Sequence, residues 1–514
     1  MEKEKNKNLE SKKFENKTYG LFKFHFPTEI ERKSALDLSG ESTLLKKLIL
    51  TDLNSFYSPI KPPNENKKIN INNFWLLSHK EFGETFTEFL RNGNFYKLTK
   101  NNDIIYLFNL VFVPEEEKND VIKEEKNEDE NDNNNNEINN ENNINTNNEN
   151  NNNENNNNEN NNNENNNNIK NSNLTESDKK IIINIPPSIP QKYLDKFQQI
   201  LSSYFSTNIK FNLQNLIVPL TKIIYKKNDE TNDLISIQAD YLIKYLNSII
   251  FNKKNKEYNN AYSYVFFTNI PLFHNISLYK EGKINKYQFY PKNFLDNDSC
   301  FELININKRT CLMSFSQFLI EFKNNKNNKE NNNNENNNNN ENKNENNNNN
   351  ENNNNNENKE TELDCINFKR SLKLLIRNIC ILFGVNNCIY YNCVLNGFSS
   401  LNEFDNNSFE LCPICLRKIF NIILRKFDDE SEYEKNLKNT IILFDRLNEL
   451  KNILSFDDEN KNEKNEENNN NEFNDNNNNN NENQKNFMKK VFKSECNWYK
   501  KRSEILQKFF EKKK

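Results

Sequence analysis

Apolar residues along this chain alternate between the spacing of helices and the spacing of strands. In residues 185–211, prolines precede apolar positions that recur every three or four residues, which predicts an amphipathic helix before the strand-like NIKF. Residues 234–251, LISIQADYLIKYLNSIIF, predict a second helix. It leads into residues 262–273, YSYVFFTNIPLF, whose β-branched and aromatic run is typical of a buried strand.

The alternation continues toward the C-terminus. Residues 306–322, INKRTCLMSFSQFLIEF, predict a further strand, and residues 368–384, FKRSLKLLIRNICILFG, predict an apolar helix that Gly384 stops. Helices and strands that precede a central helix in this order favour an α+β or α/β fold with one main sheet.

Long runs of Asn broken by Glu separate these blocks. They hold almost no apolar residues that could offset the entropy of ordering, so we predict disordered insertions without a function of their own. The predicted division is a disordered N-terminus, one interrupted domain, a linker and a basic helical tail: 1–17, 18–455 with insertions at 115–172 and 324–360, 456–485, and 486–514.

Charge and hydropathy exclude some classes of function. The formal net charge of -4 gives no basic footprint for nucleic acid, and the basic tail is explained by a solvated amphipathic helix. The first residues lack the apolar run of a secretory signal, and no segment has the ~18 uninterrupted apolar residues of a membrane span. We therefore expect an intracellular protein of the cytoplasm, with the nucleus left open, and neither nucleic-acid nor membrane partners.

Nine cysteines in a reducing compartment are better explained as buried thiols or metal ligands than as disulfides. Cys388 and Cys393 form one close pair, and Cys412 and Cys415 form a CxxC knuckle, so four thiolates match a closed structural zinc site with one ion. The alternatives are buried thiols or a redox dithiol in the CPIC segment, at the start of a predicted amphipathic helix. A redox dithiol would leave the first cysteine pair unexplained.

The helix before the first cysteine pair has the frame of an HExxH zinc peptidase but no histidine. In such enzymes two His one turn apart bind the metal, a Glu polarises the bound water, and a Gly turn delivers a third ligand. The corresponding positions are Arg377, Asn378, Ile381 and Asn387. Arg has no lone pair, Ile has no donor atom, and Asn is not a base at neutral pH, so we predict no catalytic residues.

Two questions stay open at these positions. Arg377 either supplies the positive charge of a lost metal ion to groups that once faced it, or it extends along the helix to reach water. The three histidines, His25, His79 and His274, are scattered along the chain and poorly suited to rebuild a metal site. His274 is the best placed of the three, since it directly follows the strand predicted at residues 262–273.

Residues 370–419 resemble the archaemetzincins, a family of metzincin-type zinc peptidases. The match includes Gly384, both cysteine pairs and the CPxCLRK-like knuckle, with Leu395 where the family has its turn methionine. Weaker similarity follows the family order at 48–63, 186–205, 237–246, 268–273 and 313–318. The resemblance implies an α+β, zincin-like fold with one twisted mixed sheet, a central helix and a C-terminal four-cysteine zinc subdomain.

The resemblance departs from the family where catalysis takes place, which suggests a pseudo-metallopeptidase. Such a protein would act as a binding or regulatory module and hold a peptide or protein partner in the former active-site cleft without cutting it. The alternatives are an active zinc metallopeptidase with rearranged ligands and a CPxC redox or purely structural protein. The oligomeric state is not predicted.

Overall fold

The structure is a computed structural model in which the described residues are separated by gaps. They are 24–39, 57–60, 75–78, 81–93, 98–99, 101–113, 189, 191–205, 209–227, 235–252, 255–273, 299–300, 302–316, 318, 349–398, 400–424, 432–457 and 475–511. Apart from Val113, which belongs to the unit Val113–Asn184, they all lie in one compact unit made of Met1–Phe112 and Ile185–Lys514. The expected disorder of residues 1–17 and 115–172 falls outside the described residues.

The described strands form a larger and a smaller sheet. They are β1 (Ile104–Val113), β2 (Lys210–Pro219), β3 (Tyr225–Lys227), β4 (Ile235–Gln238), β5 (Ala261–Thr268), β6 (Leu272–Phe273), β7 (Ser299–Cys300), β8 (Glu302–Asn305) and β9 (Thr310–Ser314). The larger sheet has the order β2-β1-β5-β9-β8, in which β5 is parallel to both β1 and β9, and β8 is antiparallel to β9. This agrees with the predicted mixed sheet.

The smaller sheet, with the order β3-β4-β6-β7, differs from the prediction of a single sheet. Ile235 and Ile237 are buried and alternate with half-buried neighbours, so the first residues of the predicted helix 234–251 pair as strand β4. The helix begins only at Ala239. Strand 262–273 is divided for a different reason: Pro271, which has no N–H for a ladder, separates β5 from β6.

The predicted strand within 306–322 is likewise shorter than expected. Residues 306–309 form a turn, and β8 before it makes a hairpin with β9 after it. The sequence prediction missed β8, although this strand carries Glu302, which contacts the central helix.

The described helices are numbered in chain order. They are α1 (Glu29–Leu36), α2 (Trp75–Ser78), α3 (Phe86–Asn92), α4 (Gln191–Phe205), α5 (Ala239–Ile250), α6 (Asn349–Leu382), α7 (Leu401–Asn406), α8 (Pro413–Leu424), α9 (Glu432–Ser455), α10 (Asp475–Val491) and α11 (Lys493–Glu511). Helices α4, α6 and α8 confirm the predicted ones. The backbone of α6 from Asn349 and of α10 from Asp475 is helical where the sequence predicted an insertion and a linker.

Helix α6 supplies the centre of the core. Leu374, Leu375 and Ile379 are fully buried and belong to one apolar cluster with Val265 of β5 and Met313 of β9. The helix ends as predicted, because Gly384 takes a φ of 87°, which a residue with a side chain rarely adopts. The chain is thereby turned into the loop that carries the first cysteine pair.

The C-terminal helices are part of the same packed body. Helix α11 packs along α9, and Phe492 and Tyr499 are buried. The expectation of a solvated tail helix is therefore wrong for these positions, because Phe492 contacts Phe368 of α6 and Tyr499 lies on the helix that packs along α9. None of the described helices combines the length and the apolar character needed to cross a membrane.

Candidate functional site

The four predicted cysteines come together at the C-terminal side of α6. Cys388 and Cys393 lie in the loop after the Gly384 turn, while Cys412 and Cys415 lie at the start of α8. All four side chains are buried, and their Sγ atoms lie within 4.8 Å of one another.

The spacing fits a tetrahedral metal ion. Zinc–sulfur bonds of about 2.3 Å place the sulfurs of a tetrahedral site about 3.8 Å apart. The Sγ atoms of Cys388 and Cys412, one from each pair, are 3.6 Å apart. The two pairs therefore form one donor set.

Asn396 fixes the shape of the loop between the first pair and the knuckle. Its Oδ1 accepts a hydrogen bond from the Cys393 amide at 2.7 Å, and its Nδ2 donates to the carbonyls of Cys388 at 2.7 Å and Tyr391 at 3.0 Å. The Cys388 amide in turn donates to the carbonyl of Leu395 at 3.0 Å. One buried amide side chain thus holds both cysteines of the first pair in place.

The thiols influence one another electrostatically. Burial raises the pKa of the Cys388 thiol, but hydrogen bonds with Cys393, Cys412 and Cys415 outweigh burial and hold this pKa well below its usual range. The pKa of Cys412 is raised well above its usual range by burial and by its hydrogen bond with Cys388. Within the cluster, the Cys388 thiol is therefore favoured as a thiolate, the form that binds a metal ion.

Arg377 lies at the position that the resemblance assigns to the first metal-binding His. Its Nη1 donates to Glu302 Oε1 of β8 at 2.5 Å, and its Nη2 donates to Asn387 Oδ1 at 3.1 Å. The side chains of Arg377 and Glu302 are only 1% and 3% exposed. The arginine therefore does not extend to water, so this one of its two sequence interpretations is wrong.

The remaining positions of the frame join the same polar network or the core. Asn387 Nδ2 donates to Glu81 Oε1 at 2.8 Å, and Asn378 Nδ2 contacts the Met313 sulfur at 3.9 Å. Ile381 belongs to the apolar core. Within the described parts of the chain, the four cysteines are the one group of His, Cys, Asp or Glu side chains close enough to hold a metal.

Trp75 closes this network from the N-terminal part of the chain. Its indole Nε1 donates to Glu81 Oε1 at 2.7 Å, and its backbone amide donates to Glu403 at 3.0 Å. The ring lies so close to Gly397 that a Cβ there would stand 2.1 Å from the indole nitrogen. Gly397 is thus required for the approach of the ring to the loop.

Among the described residues, the one histidine, His25, belongs to no group that could hold a metal. His25 is more than half exposed, and its ring nitrogen pairs with Glu31 at 3.0 Å in the turn before α1. His79 and His274 lie outside the described residues.

Sequence reasoning missed the partners of the candidate site. Glu81, Glu302 and Arg446 are single charged residues far from the motif, and Glu410 lies within it, but no periodicity or spacing distinguishes these four from surface charges. Glu302, Glu410 and Arg446 are buried and Glu81 is half-buried, and burial follows only from the tertiary structure.

Comparisons with known proteins give a partial likeness to one family. No protein-family model matches the chain. Over 81 residues it is 33% identical to Archaemetzincin-2 of Macaca fascicularis, which covers 14% of this chain and 22% of that protein. Over 51 residues it is 37% identical to Archaemetzincin-1 of Homo sapiens, which covers 10% of each chain. The chain thus spans about a fifth or less of these relatives.

Two solved structures are also similar. A zinc-dependent peptidase from Methanocorpusculum labreanum shares 14% identity with a TM-score of 0.27, covering 45% of this chain and 95% of that one. Archaemetzincin from Methanopyrus kandleri shares 15% identity with a TM-score of 0.26, covering 46% and 89%. At such TM-scores these matches carry no argument about fold or function.

Proposed function

We propose that this chain is an archaemetzincin-like protein without peptidase activity that keeps one structural zinc ion. The observation that carries the proposal is the buried pair of Arg377 and Glu302, at the position where the resemblance places the catalytic metal. A pseudo-metallopeptidase that works by binding a protein or peptide follows from this combination of retained fold and lost ligands.

The pair opposes metal binding in two ways. Arg377 offers no lone pair, and its fixed positive charge would repel a dication in a site from which water is excluded. Glu302 and Asn387, the oxygen-bearing groups beside it, already accept its hydrogen bonds. A catalytic zinc ion would therefore need ligands that the described residues do not supply.

The cysteine centre is proposed to hold zinc for structure. Cys388, Cys393, Cys412 and Cys415 would hold the ion, leaving no open position for a substrate or water. Bound zinc would supply folding free energy to the loop that carries the cysteines. A redox role for the CPIC segment is disfavoured because its sulfurs share one cluster with the first pair.

Binding without cleavage remains the proposed activity toward partners. Because Arg377, Asn378 and Asn387 are buried, a peptide at the former cleft would contact the rim and not these side chains. We therefore expect a partner to be a folded protein or an extended peptide recognised by the surface around the network.

Cleavage of a mixed peptide library tests the proposal. Purified full-length protein is incubated with the library with and without 1,10-phenanthroline, and products are identified by mass spectrometry. We expect no chelator-sensitive products. If homogeneous protein in metal-free buffer gave such products, they would support an active peptidase with rearranged ligands.

A restored variant supplies the positive control. Arg377→His, Asn378→Glu, Ile381→His and Asn387→His together recreate the family ligand set. We expect this variant to bind one more zinc ion per chain than the wild type. Failure to do so would show that the helix is aligned wrongly with the family motif.

A further inference from the structure

Glu410 joins the two cysteine pairs. Its backbone carbonyl accepts from the Val394 amide, next to Cys393, at 3.1 Å. Its carboxylate Oε1 accepts from the Leu411 amide, next to Cys412, at 2.9 Å. Between these bonds, the Cys412 amide donates to Cys393 Sγ at 3.3 Å. One residue therefore sets the distance between the halves of the centre.

The Glu410 carboxylate is anchored outside the loop, on α9. Arg446 Nη2 donates to Glu410 Oε1 at 2.5 Å, with side chains that are 0% and 6% exposed. Arg446 is held in turn by α4, since its Nε donates to the Tyr204 carbonyl at 2.6 Å and its guanidinium lies 4.4 Å from the centre of the Tyr204 ring. Arg446 is thus held by Glu410 of the loop and by Tyr204 of α4.

Tyr204 adds a second connection to the same loop. Its hydroxyl donates to the Phe409 carbonyl at 3.2 Å and accepts from the Leu411 amide at 3.1 Å. Tyr499 and Arg502 of α11 lie near the Glu410 carboxylate. Phe409 and Leu411, the residues on both sides of Glu410, are therefore tied to α4, and Glu410 itself is tied to α9.

A buried ion pair often contributes little to net stability, since desolvation of both charges offsets their attraction. Its better-supported use is to select one arrangement of the chain among several. The bonds of Glu410 lead to the neighbours of Cys393 and Cys412, so the arrangement selected here is that of the cysteines.

We infer that α9 locks the four-cysteine centre through Arg446 and Glu410, and that Glu410 acts as a positioning residue for Cys393 and Cys412. The lock holds the two pairs together before any metal is present. Its effect on metal release rests on the proposed zinc site, while its effect on the thiols does not.

Thiol reactivity in the zinc-free full-length protein tests the lock directly. Glu410→Gln and Arg446→Met are compared with the wild type for the rate at which N-ethylmaleimide alkylates each cysteine, read by mass spectrometry. We expect Cys393 and Cys412 to react about tenfold faster in both variants, because the loop opens locally more often. Cys311, buried in β9, is expected to keep its rate.

Arg370→Met is the matched control. Arg370 of α6 is also a mostly buried arginine with two bonds to a carboxylate, to Asp405 at 3.0 and 2.6 Å, but Asp405 belongs to α7 and is not a neighbour of Cys393 or Cys412. We expect it to leave Cys393 and Cys412 unchanged. Equal acceleration in this control, acceleration of Cys311 to the same extent, or unchanged Cys393 and Cys412 in both test variants would overturn the lock.

Zinc release into a chromogenic chelator provides the second readout. We expect both test variants to lose zinc faster than the wild type and Arg370→Met to match the wild type. Wild-type protein that carries no zinc would overturn the proposed function alone, and the alkylation rates would then still decide for or against the lock.

Discussion

Two neighbouring positions of the chain, Asn387 and Cys388, belong to sites of opposite chemistry. Cys388 is part of a set of four buried thiols that could hold a metal ion, whereas Asn387 accepts a hydrogen bond from the buried guanidinium of Arg377. In the first site buried sulfur needs a cation, and in the second Arg377 already supplies the positive charge. The comparison indicates that buried oxygen-bearing groups can take their partner from a fixed side-chain cation instead of a metal ion, as Glu302 and Asn387 do from Arg377.

The largest effect is expected in the cysteine centre. Cys412→Ser removes one of four ligands, so the variant should lose zinc and several kcal/mol of stability, because closing a structural zinc site contributes folding free energy. Thermal unfolding and metal content of the purified protein check this. Cys496→Ser, a half-buried cysteine outside the centre, should leave both unchanged. A Cys412→Ser protein with wild-type melting temperature would indicate free thiols.

The second largest effect is expected at Arg377. Arg377→Met leaves the buried Glu302 carboxylate without its cation and should cost about 3–5 kcal/mol in urea unfolding. Adding Glu302→Met should restore most of that loss, because an apolar pair of similar volume can replace a buried ion pair. Zinc content should stay at the wild-type value in both variants. Loss of zinc would mean that the two regions are not separate sites.

A smaller effect is expected from the loop that frames the cysteines. Asn396→Ala removes three buried hydrogen bonds and should cost about 1–3 kcal/mol, with faster zinc release. The control is Asn406→Ala, because Asn406 is exposed and its side chain bonds only locally, to the carbonyl of Asn402 at 2.8 Å and to its side-chain oxygen. Equal stabilities of the two variants would show that the side chain of Asn396 does not stabilise the cysteine centre.

The smallest effect expected is a pH dependence of the free energy of unfolding, which arises from Lys373, one helical turn before Arg377. Burial lowers the pKa of Lys373 from 10.5 to about 7, and its ammonium donates to the carbonyls of Phe404 and Asn407. Between these pKa values the unfolded chain binds more protons than the folded one, so this group makes stability rise with pH. The free-energy cost of burying the charged ammonium is fully present below about pH 7 and decreases as the pH rises toward 10.5.

Urea unfolding at pH 7 and pH 8 measures this contribution. The wild type should gain about 1 kcal/mol more than Lys373→Met over that unit of pH. Equal gains for the two proteins would show that Lys373 keeps its ordinary pKa in the folded state.

The sequence predicted those parts of the molecule in which a local pattern carries the information. The end of α6 at Gly384 and the grouping of four cysteines each follow from spacing, and both are found. The strand β4 was missed because its four residues precede a helix with stronger apolar periodicity. Glu302 and Glu410 were missed because a lone Glu carries no signal of burial, which depends on contacts with residues that are distant in the chain.

Metal stoichiometry of the purified full-length chain tests the central claim most directly. Elemental analysis after exhaustive dialysis should give one zinc ion per chain, held by the four cysteines and lost in Cys412→Ser. Two zinc ions per chain would contradict the proposal that Arg377 takes the place of a catalytic metal, and none would contradict the proposed zinc site of the four cysteines.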